Sequence, residues 1–226
     1  MQKKIFTRLG REFVALSAEA RPGATAAEEA REIFRRFDEE LRGTGLSLDD
    51  TVRTRLWGRD RKSRDLASSE RVKILSGPAR SASSSYISPG HFESEARVAV
   101  DLIAMKPSKP GLEKYLKEYD PPFVPLRYLT YDSVVFLSGV TAVLPTLADQ
   151  TADILPRISA SLADAGSSWE KVVKVSFYLH RGQAVENLRE LFKKTVKAEI
   201  PQLDYAFVDG YSAEGKLVEV EVTART

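Results

Sequence analysis

"LRGTGLSLDDTVRTRLW" at 41–57 and "LADAGSSWEKVVKVSFY" at 162–178 are one pattern written twice. Leu41 falls on Leu162, Gly45 on Gly166, Val52 on Val173 and Trp57 on Tyr178, every pair 121 residues apart. The register runs upstream as well, where "FVALSAEA" (13–20) meets "VFLSGVTA" (135–142) with Ser17 set on Ser138. Self-similarity at a fixed offset outranks any single element as evidence of architecture, so the chain is read as a duplicated unit.

Each copy reads strand, helix, turn, strand, helix and two further strands. "REFVALSA" alternates toward a strand, and Thr25 with Glu28 forms a T-x-x-E capping box ahead of Ala30, Ile33, Phe34, Phe37 and Leu41 at helical spacing. The counterpart helix carries Ile154, Leu155, Ile158 and Leu162, with Asp153 expected as its N-cap so that Pro156 falls in the first turn. Gly45 and Gly166 stand where each helix needs a left-handed residue to close. "TVRTRLW" and "VVKVSFYL" read as strands, and Val185, Leu188, Leu191, Phe192 and Val196 share one face of a later helix. The closing strands "RVAVDLIAM" and "LVEVEVTA" alternate strictly, with Val98, Val100 and Leu102 matched by Val218, Val220 and Val222.

The expected domains are therefore 1–106 and 128–226, joined by a proline-rich linker at 107–127 with the boundary near residue 115 and a short helix at "LEKYLKEY". Composition agrees with globular domains: of 226 residues 42% are hydrophobic and 29% charged. No apolar run of about 18 residues and no leader pattern is read, so no membrane partner is expected and the cytoplasm is the default location. The absence of cysteine excludes a thiol nucleophile, and two histidines make a zinc cage a poor reading; no metal or organic cofactor is expected. Between Arg53 and Lys73 eight basic residues face three acidic ones, but no aromatic platform is interleaved with them. That run reads as a solvated face, and nucleic acid is not expected as a partner.

The order "VVFLSG", "AG.SWEKVVKVSFYL", "PAR" before a strand and a closing "VEVEVTA" resembles the Rid family of enamine/imine deaminases, also called the YjgF type. The resemblance runs through both halves. It implies an α+β fold of two tandem β-α-β-α-β-β units (YjgF/chorismate-mutase-like), each a mixed sheet packed on two helices. It also implies a homo-oligomer, a trimer above all, with ligand clefts between neighbouring units. In that family an arginine of the "PAR" block binds the carboxylate of an imino or enamino acid, a glutamate of the last strand faces the same cleft, and water displaces ammonia.

Carried over by position, the arginine is Arg80 in "GPARSA", whereas "IPQLDYA" of the second half has Leu203 in its place. The glutamate is Glu219, and the first half has Ala99 there. Ser138 and Gly139 keep the "SG" that the first half replaces with Ser17 and Ala18. The expected site thus has Glu219 as the catalytic group and Arg80, Ser138 and Gly139 as substrate-binding residues, a composite of what each repeat retained. The ligand is a small-molecule carboxylate and the expected activity a cofactor-independent hydrolytic deaminase. The alternatives are a chorismatase-like or other pathway enzyme on the same architecture, or a ligand-binding protein without catalysis. His91 and His180 and the serines from Ser81 to Ser85 carry no triad or nucleophile-elbow context and read as structural.

Overall fold

A computed structural model describes residues 1–23 and 25–226, in two compact units, Met1–Lys114 and Tyr115–Thr226. The first holds strands β1 (Gln2–Arg8), β2 (Arg11–Glu19), β3 (Thr51–Gly58), β4 (Ala82–Ile87) and β5 (Val98–Lys106), with helices α1 (Ala26–Arg42) and α2 (Arg61–Ile74). The second holds β6 (Tyr115–Lys117), β7 (Tyr128–Tyr131), β8 (Val134–Thr141), β9 (Val172–His180), β10 (Leu203–Val208) and β11 (Val218–Arg225), with helices α3 (Leu147–Asp164) and α4 (Val185–Thr195). The sheet orders are β1-β2-β5-β3-β4 and β10-β9-β11-β8-β7-β6. Read from opposite ends, these are the same order, with β6 added at one edge. In each sheet one pair is parallel, β3 with β4 and β9 with β10. This is a mixed α+β architecture of two like halves.

The alternation of the closing strands explains each core. Val98, Val100 and Leu102 join Val14 and Leu16 against Ile33, Phe34, Phe37 and Leu41 of α1. Val218, Val220 and Val222 do the same against Ile154, Leu155, Ile158 and Leu162 of α3. Each such side chain contributes roughly 1.5–3 kcal/mol on leaving water. The capping box at Thr25 and Glu28 is formed in both directions. Gly45 (φ 76°) and Gly166 (φ 70°) end their helices left-handed, and the next amide reaches back from Leu46 to Leu41 at 3.0 Å and from Ser167 to Leu162 at 2.8 Å.

Three local expectations are corrected. In each unit a strand the pattern did not suggest precedes the first expected one, because β1 and β7 pair with β2 and β8 through two-residue turns. Leu9 and Gly10 in one turn, and Asp132 and Ser133 in the other, all have positive φ, the geometry whose twist suits a tight hairpin. At "LEKYLKEY" there is no helix: Tyr115, Leu116 and Lys117 pair with Thr130, Leu129 and Tyr128 as an edge strand. The N-cap of α3 is Thr146, whose hydroxyl accepts the Asp149 amide at 3.1 Å, and not Asp153. Pro156 therefore sits inside the helix, where a missing donor and a ring clash cost about 3 kcal/mol. The buried row on either side of it, Ile154, Leu155 and Ile158, holds the helix against that cost.

The basic run is largely consumed by the fold. Arg53 and Arg71 are buried. Arg71 donates to the Ser84 carbonyl at 2.6 Å, Arg64 to the Ser85 hydroxyl at 2.7 Å, and Arg59 to the Ala96 carbonyl at 2.8 Å. The serine strand β4 has no apolar alternation of its own and is tied down by Arg64 and Arg71.

Candidate active site

In the second unit β8 and β11 run antiparallel with Glu219 opposite Thr141 and Val220 opposite Val140, and the register then shifts so that Val222 faces Leu137. Two residues of β8, Ser138 and Gly139, thus oppose the single residue Glu221, which is a β-bulge at the "SG" pair. The bulge brings the Glu219 carboxylate over the α-carbon of Gly139. A Cβ added at Gly139 would overlap Oε1, Cδ and Cγ of Glu219. The glycine is required here by close approach of a side chain, not by its backbone angles. Ser138, Glu219 and Glu221 are all buried, with Glu219 5% exposed. The structure therefore brings Ser138, Gly139 and Glu219 together.

Three further residues belong to this end of the sheet. Arg157 of α3 donates to the Thr141 carbonyl at 2.8 Å, opposite Glu219, and pairs with Asp153 at 2.9 Å. Tyr119 stacks on Phe123 with ring centroids 4.3 Å apart. Burial pushes the Tyr119 hydroxyl up, opposed by the Arg157 and Arg127 guanidiniums and assisted by the charge of Glu219. Tyr211 donates to the Tyr178 carbonyl at 2.9 Å, and burial, followed by the Glu219 carboxylate, pushes its hydroxyl up as well. Both phenols stay protonated as donors near that carboxylate. Sequence reading missed all three: Tyr119 lies in the proline-rich segment, Arg157 on an outer helix position, and Tyr211 in a loop.

In the first unit Arg80 closes a 3₁₀ turn at Gly77–Ala79, with its amide on the Gly77 carbonyl at 3.2 Å, and enters β4 with φ −55° and ψ 139°. Its side chain is half-buried. The Lys114 ammonium donates to the carbonyls of Arg80 and Thr51, at 2.8 Å each. Burial brings Lys114 down to about 8. Ser81 shares a hydroxyl contact of 3.3 Å with Thr54 at the start of the strand.

Ladder registers refine the repeat alignment. Leu203 pairs with Val175, whose counterpart Thr54 pairs with Ser83. Leu203 therefore matches Ser83, and Arg80 matches Ile200. That position is apolar in the second unit under either alignment. The same registers set Trp57 against Ala99 and Tyr178 against Glu219, so Ala99 does take the place of Glu219. The first unit still carries an acid on that face. Asp101, one step along and matched to Glu221, accepts Ser17 Oγ at 2.7 Å and Trp57 Nε1 at 2.9 Å. Trp57 in turn lies parallel to His91 at 4.1 Å, and burial lowers that imidazole against the pull of Asp101 and Glu19. His180 Nδ1 accepts the Gly182 amide at 3.2 Å. Both histidines have structural occupations.

Comparison with known proteins agrees with this architecture. Residues 121–226 match the sequence model of the family described as endoribonuclease L-PSP. A chorismatase structure aligns with 98% of this chain and 79% of its own at 13% identity and a TM-score of 0.65, a likeness of fold. A YjgF/YER057c/UK114 family member from Mycobacterium tuberculosis aligns with 50% of this chain and 100% of its own at 25% identity and a TM-score of 0.43. A Rid family protein from Yersinia pestis covers 50% of this chain and 99% of its own at 20% identity and a TM-score of 0.43. Among curated proteins the chain has no significant match. Among the described residues no helix is long and apolar enough to cross a membrane. Most of the second unit, residues 121–226, thus matches the endoribonuclease L-PSP family model, and the first unit repeats the strand order of the second.

Proposed function

We propose that this protein is a cytoplasmic, cofactor-independent hydrolase that deaminates an imino or enamino acid. The observation that carries the reading is the buried Glu219 carboxylate seated on Gly139 at the β8 bulge. A carboxylate held there can orient a water molecule and take its proton. The water oxygen adds to the iminium carbon, the resulting carbinolamine loses ammonia as its C–N bond breaks, and a 2-keto acid remains. One water is consumed and no redox step occurs. Tyr119, a protonated phenol near Glu219, can donate to the water or to the carbinolamine oxygen, whereas the Tyr211 proton is committed to the Tyr178 carbonyl.

Arg80 is proposed as the carboxylate anchor, since a guanidinium meets a carboxylate with two parallel N–H bonds where an ammonium meets it as a point charge. Lys114 fixes the peptide of Arg80 and so limits where that guanidinium can reach. Arg80 and Glu219 belong to different repeats, and the proposal asks both of one turnover. Assembly as a homotrimer of the 25.1 kDa chain belongs to the same reading. The test is keto-acid formation from freshly generated 2-iminobutanoate, with chorismate offered in parallel. Acceleration by wild type and its loss in Arg80→Ala support the reading. Turnover of chorismate alone would replace it with ether cleavage, and no turnover of either substrate would leave a ligand-binding role.

A further inference from the structure

The second unit carries a groove of about 330 Å³ between α4 and β10, lined by Arg189, Phe192, Lys193, Leu203 and Tyr205. Its composition follows from the two periodicities that meet there. Arg189 and Lys193, four residues apart, stand on one face of α4. Alternation along β10 turns Leu203 and Tyr205 toward that helix and sends Asp204 to the other face, where Lys174 meets it at 2.6 Å. The one acid of this stretch of β10 is thereby kept off the groove. Among the described residues neither Arg189 nor Lys193 has an ion-pair partner.

The guanidinium is also oriented in advance. Its carbon lies 4.7 Å from the centroid of the Tyr205 ring. Tyr205 is held in turn by Phe177, parallel to it at 5.1 Å, and Phe177 meets the edge of Phe192 at 5.2 Å. A guanidinium held over a fixed ring still has N–H groups to offer an acceptor beside it, and its planar fork suits a carboxylate. Lys193 adds a second positive charge one turn along. Leu203 and Phe192 offer an apolar surface beside the two cations.

We propose that this groove is a binding site for an aryl carboxylate, with the carboxylate on Arg189 and Lys193 and the ring against Leu203 and Phe192. It lies within the second unit and does not depend on the deaminase reading. Benzoate is the probe, titrated into the full chain with amide chemical shifts as the readout. Saturable shifts centred on Leu203 and Tyr205 are expected. Arg189→Gln weakens binding about tenfold or more, Arg189→Lys by several-fold because the planar fork is lost, and Arg80→Ala leaves affinity unchanged. Arg189 is exposed, so these variants keep the wild-type melting curve. If Arg189→Gln nevertheless unfolds the unit, Lys193→Gln reads the same site, with a weakening of several-fold expected. No saturable binding, unchanged affinity in the Arg189 variants, or shifts confined to the surroundings of Arg80 would each overturn the proposal. Equal affinity for inorganic phosphate at the same amides would overturn it too, since a plain anion site has no need of the ring.

Discussion

Replacing Gly139 by alanine should damage the second unit through one side chain, Glu219. The added methyl overlaps three atoms of that side chain, Oε1, Cδ and Cγ, so relief requires the buried carboxylate to swing away from β8. Overpacking of this kind costs about 1–3 kcal/mol. If the clash is the cause, the penalty disappears once the clashing group is removed. Gly139→Ala in a Glu219→Ala background should then cost within about 0.5 kcal/mol of nothing, and the coupling between the two changes should be about 1–3 kcal/mol. Urea unfolding can resolve this because each unit has one tryptophan, Trp57 in the first and Trp169 in the second. In a Trp57→Phe background the emission of Trp169, packed edge-on against Phe192, follows the second unit. A Gly139→Ala penalty of equal size with and without the Glu219 side chain would refute the reasoning and place the need for glycine in the backbone.

Other consequences follow from single features of the fold. Pro156→Ala restores a donor inside α3 and should raise the stability of the second unit by about 1–3 kcal/mol, read as a higher urea midpoint; a lower midpoint would mean that the ring itself is needed. Thr146→Ala removes the cap on the Asp149 amide and should cost about 1 kcal/mol in the same measurement. Lys114 titrates at about 8 in the fold against 10.5 for the ordinary side chain, so between those values the unfolded chain binds the extra proton. The first unit should therefore gain stability as pH rises from about 8 to 10.5, with no slope from this group below 8. Lys114→Met should flatten that rise, measured by Trp57 emission, and an unchanged rise would assign it to another group.

Much of the fold was legible because two signals reinforced each other. The spacing of Ile33, Phe37 and Leu41 is backed by the same pattern 121 residues away, and the alternation of "VEVEV" by the same pattern 120 residues away. The strands that were missed are those whose reason lies in pairing. β6 has only three residues and becomes a strand because β7 offers an edge, and no periodicity can show that. Pro156 misled for a related reason. Proline biases local conformation, but the buried face of α3 runs from Leu147 to Leu162 and keeps the helix whole across it.

The candidate site was legible where chemistry and backbone coincide. Ser138, Gly139 and Glu219 meet because the glycine leaves room for the acid. Tyr119, Arg157 and Tyr211 join them from a proline-rich segment, a helix surface and a loop, and such partners are chosen by the fold and not by local pattern. Asp101 shows the same limit. Its role as acceptor for Ser17 and Trp57 depends on three strands in register.

The central claim is that Arg80 and Glu219 serve one turnover, and steady-state hydrolysis of 2-iminobutanoate by the two single variants and the double variant tests it. Arg80→Ala should raise KM by about 10- to 100-fold, as loss of a carboxylate anchor does, and Glu219→Gln should lower kcat by about 10²- to 10⁴-fold. In the double variant kcat should stay at the Glu219→Gln value and KM at the Arg80→Ala value, so that the two losses multiply in kcat/KM. Wild-type rates in both single variants would contradict the account, and so would an Arg80→Ala variant whose KM is unchanged.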